Sequence, residues 1–179
     1  MTRWPSIEEL IAGSLSLDAG DRKLSMVILH HTWRPDHASW GGHSTAEAVK
    51  RFWLRRQMSE GWTQPPGGHF IVAPDGIVYQ PFALSVPLNA NSDRKANRTG
   101  VAIEVVGNFD VGKDVMTEPQ EHAAYGLIGL LLHRFRMGSD RVFFHRSFPA
   151  AHKSCPGDSL DLVQVRGRAA LAKKWVSGA

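Results

Sequence analysis

Leu24-Ser25-Met26-Val27-Ile28-Leu29-His30-His31 is a mostly apolar run with Val and Ile, bounded by charge before it and by Pro35 after it. A short apolar run with those boundaries reads as a buried strand. Val101-Ala102-Ile103-Glu104-Val105-Val106 reads the same way, and Arg141–His145 forms a further strand. His69–Ala73 and Ile77–Gln80 flank Pro74-Asp75-Gly76, the signal of a hairpin turn. Helical patterns separate these strands. Ser6-Ile7-Glu8-Glu9 has the form of a capping box and starts a short helix to about Leu15. Thr45–Glu60 places Ala46, Val49, Phe52, Trp53 and Leu54 at helical spacing and stops at Gly61. Thr117 to Met137 forms a long helix, and residues from about Asp158 to Val176 form the last one. Residues 81–100 read as a long polar loop. Strands alternating with helices predict an α/β fold: a single domain with a central, mostly β-sheet of about five or six strands flanked by helices.

The length of 179 residues suits one well-buried domain. With 42% hydrophobic and 21% charged residues, the chain is an ordinary soluble globule and not a disordered or fibrous one. Residues 1–23 form an N-terminal extension that covers a sheet edge or lines a groove, and residues 24–179 form the domain proper. A net charge of +4 and a pI of about 9.5 favour an anionic partner weakly. No nucleic-acid-binding motif accompanies that charge. The last helix carries Arg166, Arg168, Lys173 and Lys174, either as a solvated face or as a contact to an anionic envelope. No stretch approaches transmembrane length, and Met1-Thr2-Arg3-Trp4-Pro5 lacks the apolar region of a secretory signal, so cytoplasmic synthesis is expected.

The chemistry concentrates at two places. His30 and His145 both fall at the C-terminal ends of expected strands, where side chains project into a sheet-edge crevice. Cys155, the sole cysteine, follows His145 across a loop containing Pro and Ala. Two imidazoles and one thiolate form the ligand set of a catalytic zinc site, which keeps its fourth position for water. Taken singly, each has a plainer explanation, as a satisfied core histidine or a small buried thiol; the combination favours one Zn2+ per chain. Glu104 lies among apolar neighbours, where a carboxylate is costly unless paired, protonated or near a metal. It is either salt-bridged, to Arg98 or a basic residue of the Thr45 helix, or a general acid/base with a raised pKa. Lys153, two residues before Cys155, is either a solvated loop lysine or an electrostatic clamp on an oxyanion.

Four blocks of sequence together resemble the zinc-dependent N-acetylmuramoyl-L-alanine amidases, the family of phage T7 lysozyme, the peptidoglycan recognition proteins and the bacterial recycling amidase. They are Ile28–Thr32, Gly68–Gln80, Thr99–Asn108 and His145–Gly157. The resemblance implies hydrolysis of the amide bond between N-acetylmuramic acid and L-alanine of peptidoglycan. It assigns His30, His145 and Cys155 to zinc, Lys153 to the oxyanion, and Glu104 to proton transfer from water to the departing amine. A Cys as third ligand is similar to the phage and recognition branch, whereas the ten-residue gap and Glu104 resemble the recycling branch. Phage-type members carry a catalytic Tyr immediately before the hairpin His, where this chain has Gly68. Many members also carry a His in the loop where this chain has Asn89-Ala90.

The expected role is that of a monomeric phage-type endolysin that reaches the cell wall after release from the cytoplasm. Alternatives are a cytoplasmic muropeptide-recycling amidase and a zinc-containing, non-catalytic peptidoglycan recognition module. A cysteine peptidase with Cys155 as nucleophile and His30 or His145 as base is a further rival. Pro156 fits that poorly, because it removes one of the N–H groups that help to lower a nucleophilic thiol's pKa.

Overall fold

Alternation along the strands decides which side chains reach which face. The computed structural model describes residues 1–14 and 17–178. Six strands form one sheet: β1 (Thr2–Trp4), β2 (Met26–His31), β3 (Phe70–Val72), β4 (Val78–Gln80), β5 (Gly100–Val105) and β6 (Val142–Phe144). Their order is β1-β4-β3-β5-β2-β6. β5 pairs in parallel with β3 and β2, and β2 in parallel with β6. The hairpin partner β4 runs antiparallel to β3 and to β1.

Val27 and Leu29 of β2, Val101, Ile103 and Val105 of β5, and Val142 and Phe144 of β6 all enter one core. That core is closed by α1 (Ile7–Ala12), α4 (Glu118–Arg134) and α5 (Leu162–Ser177). Each fully buried aliphatic or aromatic side chain there contributes about 1.5–3 kcal/mol. α4 is apolar almost all round because it lies between the sheet and α5. Gly129 permits that packing: a Cβ there would stand 2.6 Å from the backbone of Ala172. The opposite face of the sheet carries Ile71, Ala73 and Tyr79 beneath α2 (His43–Ser59), which contributes Ala46 and Trp53. With a period of two, Glu104 and His30 must fall on this second face.

Several expected boundaries shift. The first helix, expected to reach about Leu15, ends at Ala12; Leu15 itself lies outside the described residues. The last helix starts at Leu162 and not near Asp158, because Asp161 caps it by accepting from the Gln164 N–H. Residues 81–100, expected as a loop, contain the short helix α3 (Arg94–Thr99), capped by Asp93 on the Ala96 N–H. Within residues 1–23, β1 extends the sheet beside β4, and Ile7 and Leu10 are buried in the main core. Among the described residues no helix is long and apolar enough to cross a membrane.

Candidate active site

Parallel register brings the first two site residues side by side: His30 of β2 pairs with Glu104 of β5. His145 follows β6 directly and opens a single 3-10 turn, His145–Ser147. Cys155 comes from the loop beyond. Arg146 holds that loop down, its guanidinium donating to the carbonyls of Ser154, Gly157 and Leu160 and its backbone N–H to that of Cys155. Nothing in the sequence pattern marked Arg146, since its role exists only once the loop closes.

The donor atoms of His30, His145 and Cys155 all lie within 4.8 Å of one another, and all three residues are buried. The Cys155 Sγ is 3.7 Å from the His30 Nδ1. Two ligands at tetrahedral angles on a zinc ion, with Zn–S of about 2.3 Å and Zn–N of about 2.0 Å, sit roughly 3.6 Å apart. The Nε2 atoms of both histidines are buried and carry no hydrogen bond among the described residues. Burial and the neighbouring positive charges hold His30 well below the ordinary histidine range and His145 down at about 4. Both rings are therefore neutral at physiological pH, the form that binds a metal. Burial, and then Glu104, push the Cys155 thiol up to about 12. A thiol so disposed is a poor free nucleophile, which disfavours the cysteine-peptidase reading, but a bound cation deprotonates it outright. The three residues thus fit a zinc ion in both geometry and donor chemistry.

Glu104 is buried and makes no ion pair among the described residues, so the expected salt-bridge alternative is not what holds it. Burial raises its carboxyl to about 8, against a downward pull from Lys153. Lys153 itself is exposed on the Cys155 loop, and its charge is also felt at His30 and His145. Gly68 lies against Glu104: a Cβ at position 68 would stand 2.7 Å from the Glu104 Cγ. The hairpin His69 is not in the metal group. It accepts the Ala102 N–H at Nδ1, lies 3.0 Å from the Val86 carbonyl at Nε2, and is structural.

The three donors, Glu104 and Lys153 share one groove of about 1150 Å³. Phe52 and Trp53 of α2 form part of its wall, with Trp33 and Trp62 beside them. Asn91 also lines it.

The model of the family described as N-acetylmuramoyl-L-alanine amidase matches residues 20–158. No curated protein matches the sequence. Among solved structures, the chain is similar to the N-acetylmuramoyl-L-alanine amidase LysC from Clostridium intestinale URNW, at 18% identity and a TM-score of 0.62, covering 82% of this chain and 85% of that one. It is similar to the Ph2119 endolysin from the Thermus scotoductus MAT2119 bacteriophage Ph2119, at 20% identity and 0.62, over 86% and 89% of the two chains. It is also similar to Drosophila PGRP-LB, in a mutant solved with tracheal cytotoxin, at 20% identity and 0.65, over 84% of each. At these identities the structures speak to the shared fold, while the family match spans most of the chain and includes every residue of the site. The chain belongs to the N-acetylmuramoyl-L-alanine amidase family, enzymes that cleave the amide bond between the glycan and the peptide of peptidoglycan.

Proposed function

We propose that the chain is a zinc-dependent amidase of the endolysin type, with one metal held by His30, His145 and Cys155. The observation that carries this reading is the convergence of those three buried donors beside a buried carboxyl at the floor of the groove. A zinc ion in such a site supplies an activated water nucleophile at neutral pH and polarises the scissile carbonyl.

The remaining work falls to the chain. Glu104, raised by burial and lowered by nearby positive charge, titrates close to neutrality, where a carboxyl both takes and returns a proton. It accepts the proton of the attacking water and delivers it to the departing L-alanine amine. Lys153, at the rim, stabilises the negative charge that develops on the carbonyl oxygen. Burial of Glu104 behind Gly68 and beside His30 holds the carboxyl in one place. The groove, with its aromatic wall, is built to take a muropeptide strand, and tracheal cytotoxin in the PGRP-LB complex is consistent with such an occupant.

Envelope attraction through the last helix rests on Arg166, Lys173 and Lys174, because of its four basic side chains only Arg168 pairs with a carboxylate among the described residues. Arg166 donates to the carbonyls of Val142 and Asp140, Arg168 pairs with Glu121, and Lys173 donates to the Met137 carbonyl. A monomer acting on the wall after release from the cytoplasm is the setting we propose.

The test is amidase activity on purified peptidoglycan, read as new L-alanine amino groups. It is run on the protein as purified, after chelation and after zinc is restored. Activity lost on chelation and recovered with zinc supports the reading. Wall binding without new amines, with zinc bound, would leave a recognition module instead.

A further inference from the structure

Resting on the zinc reading above, we propose that Asn91 is a positioning residue for the metal: its side-chain Oδ1 accepts the Nε2–H of His30 and so presents Nδ1 of that ring to the ion. The 3.7 Å separation between Cys155 Sγ and His30 Nδ1 identifies Nδ1 as the ligand atom. Nε2, on the far side of the ring, is then the protonated nitrogen of a neutral imidazole. It is buried and carries no hydrogen bond among the described residues. Metal-bound histidines donate that second N–H to an oxygen acceptor, which fixes the tautomer and makes the ligand more basic.

Asn91 supplies the matching half. It is buried, lines the same groove, and its Oδ1 is a buried acceptor without a partner among the described residues. The rest of the residue is tied to Asn97. Its Nδ2 and its backbone N–H both donate to Asn97 Oδ1, and Asn97 Nδ2 donates in return to the Asn91 carbonyl and to Asn89 Oδ1. This network ties the amide nitrogen and the backbone of Asn91 to Asn97 and leaves Oδ1 as an acceptor without a partner among the described residues. The Asn91 side chain raises the His30 pKa against the larger downward effect of burial, the sign expected of a nearby oxygen acceptor. Cap and network together give α3 a purpose, since its Asn97 is what aims Asn91.

The experiment measures zinc affinity by competition with a chelator in wild type, Asn91→Ala and Asn91→Asp. It is paired with the ring 15N–1H resonance of His30 in the zinc-loaded full chain. We expect Asn91→Ala to bind zinc about 10–100-fold more weakly and to lose the protected Nε2–H signal. Asn91→Asp, which keeps the acceptor, retains the signal and binds within a few-fold of wild type. Equal affinity and an unchanged resonance in Asn91→Ala would overturn the assignment while leaving the zinc reading intact. Equal weakening in both variants, with the signal lost from both, would also overturn it, because Asn91 would then serve only the loop. A wild type that binds no zinc would overturn the metal reading and this assignment with it.

Discussion

Gly68 and Glu104 occupy one volume between them: the Cβ that Gly68 lacks would stand 2.7 Å from the Glu104 Cγ and 2.7 Å from the Phe70 carbonyl oxygen. The absence of a side chain at position 68 is therefore tied to the Glu104 carboxyl packed beside it. With Glu104 packed where it is, no side chain fits at position 68 unless something shifts. Gly68→Ala is expected to destabilise by about 1–3 kcal/mol, as overpacking does. Half of the clash is with a backbone oxygen, so Glu104→Ala added to it restores only part of the loss. Denaturant unfolding of the two single variants and the double variant should give a coupling of at least ~0.5 kcal/mol. Strict additivity would mean that the two residues do not share space.

Glu104 and Lys153 separate in their consequences because one is buried and the other exposed. Glu104→Gln should keep the zinc and lower kcat by about 10²–10⁴-fold, the usual contribution of a positioned acid/base. Lys153→Ala should lower kcat by about 10²–10³-fold, as loss of one oxyanion partner does, and should leave the unfolding midpoint unchanged. Glu104→Gln should also change stability with pH in the metal-free protein. The folded state keeps the Glu104 proton up to about 8, whereas the unfolded chain gives it up near 4.5. Wild-type stability therefore declines as pH rises through that window, and the Gln variant lacks this decline. The check is steady-state kinetics together with thermal unfolding at several pH values.

The reach of the sequence follows from how local each signal is. Near-continuous apolar runs at Leu24–His31 and Val101–Val106 carried His30 and Glu104 to strand positions, and the parallel register then set them side by side. β1 has only three residues, Thr2–Trp4, too few for any period to show; it exists because β4 offers it an edge. α3 is six mostly polar residues whose main local signal is the Asp93 cap, and the surrounding Asn, Arg and Lys read as loop. Arg146 and Asn91 were illegible for another reason. An arginine that binds three carbonyls 8 to 14 residues on, or an amide aimed by another 6 residues on, has no meaning until the irregular loop between them has closed. His69 carried the opposite hazard. It stands in a strongly patterned block, yet its ring serves the backbone of Ala102.

That buried ring gives the protein an acid limit. Burial and Arg22 hold His69 down at about 3, while its unfolded value is near 6.5. Below 6.5 the unfolded chain takes up a proton that the folded chain refuses. Stability therefore falls as pH drops from about 6.5 toward 3, by up to about 1.4 kcal/mol per pH unit from this residue. His30 and His145 act in the same direction when no metal is bound. The difference between wild type and His69→Gln, both metal-free, isolates the hairpin residue. Gln retains an acceptor and a donor but does not titrate. Urea unfolding at pH 7, 6, 5 and 4 should show a shallower acid limb in the variant, and parallel limbs would count against His69 as the source.

Arg146 should matter for metal retention although it touches no metal donor. Its guanidinium stacks over Phe144 at 4.6 Å and its fork spans the carbonyls of Ser154, Gly157 and Leu160, on either side of Cys155. A lysine keeps the charge but not the planar fork, so it cannot reach three carbonyls at once. Arg146→Lys leaves at least one of these half-buried carbonyls without its donor, a loss of about 1–3 kcal/mol. Because the freed loop carries Cys155, the cost appears twice: as a lower unfolding midpoint and as faster zinc loss to a chelator. His30 and His145 remain on β2 and after β6, so the variant should still bind zinc, with a shorter residence time. Wild-type zinc release from Arg146→Lys at reduced stability would show that the loop holds Cys155 in place without the arginine.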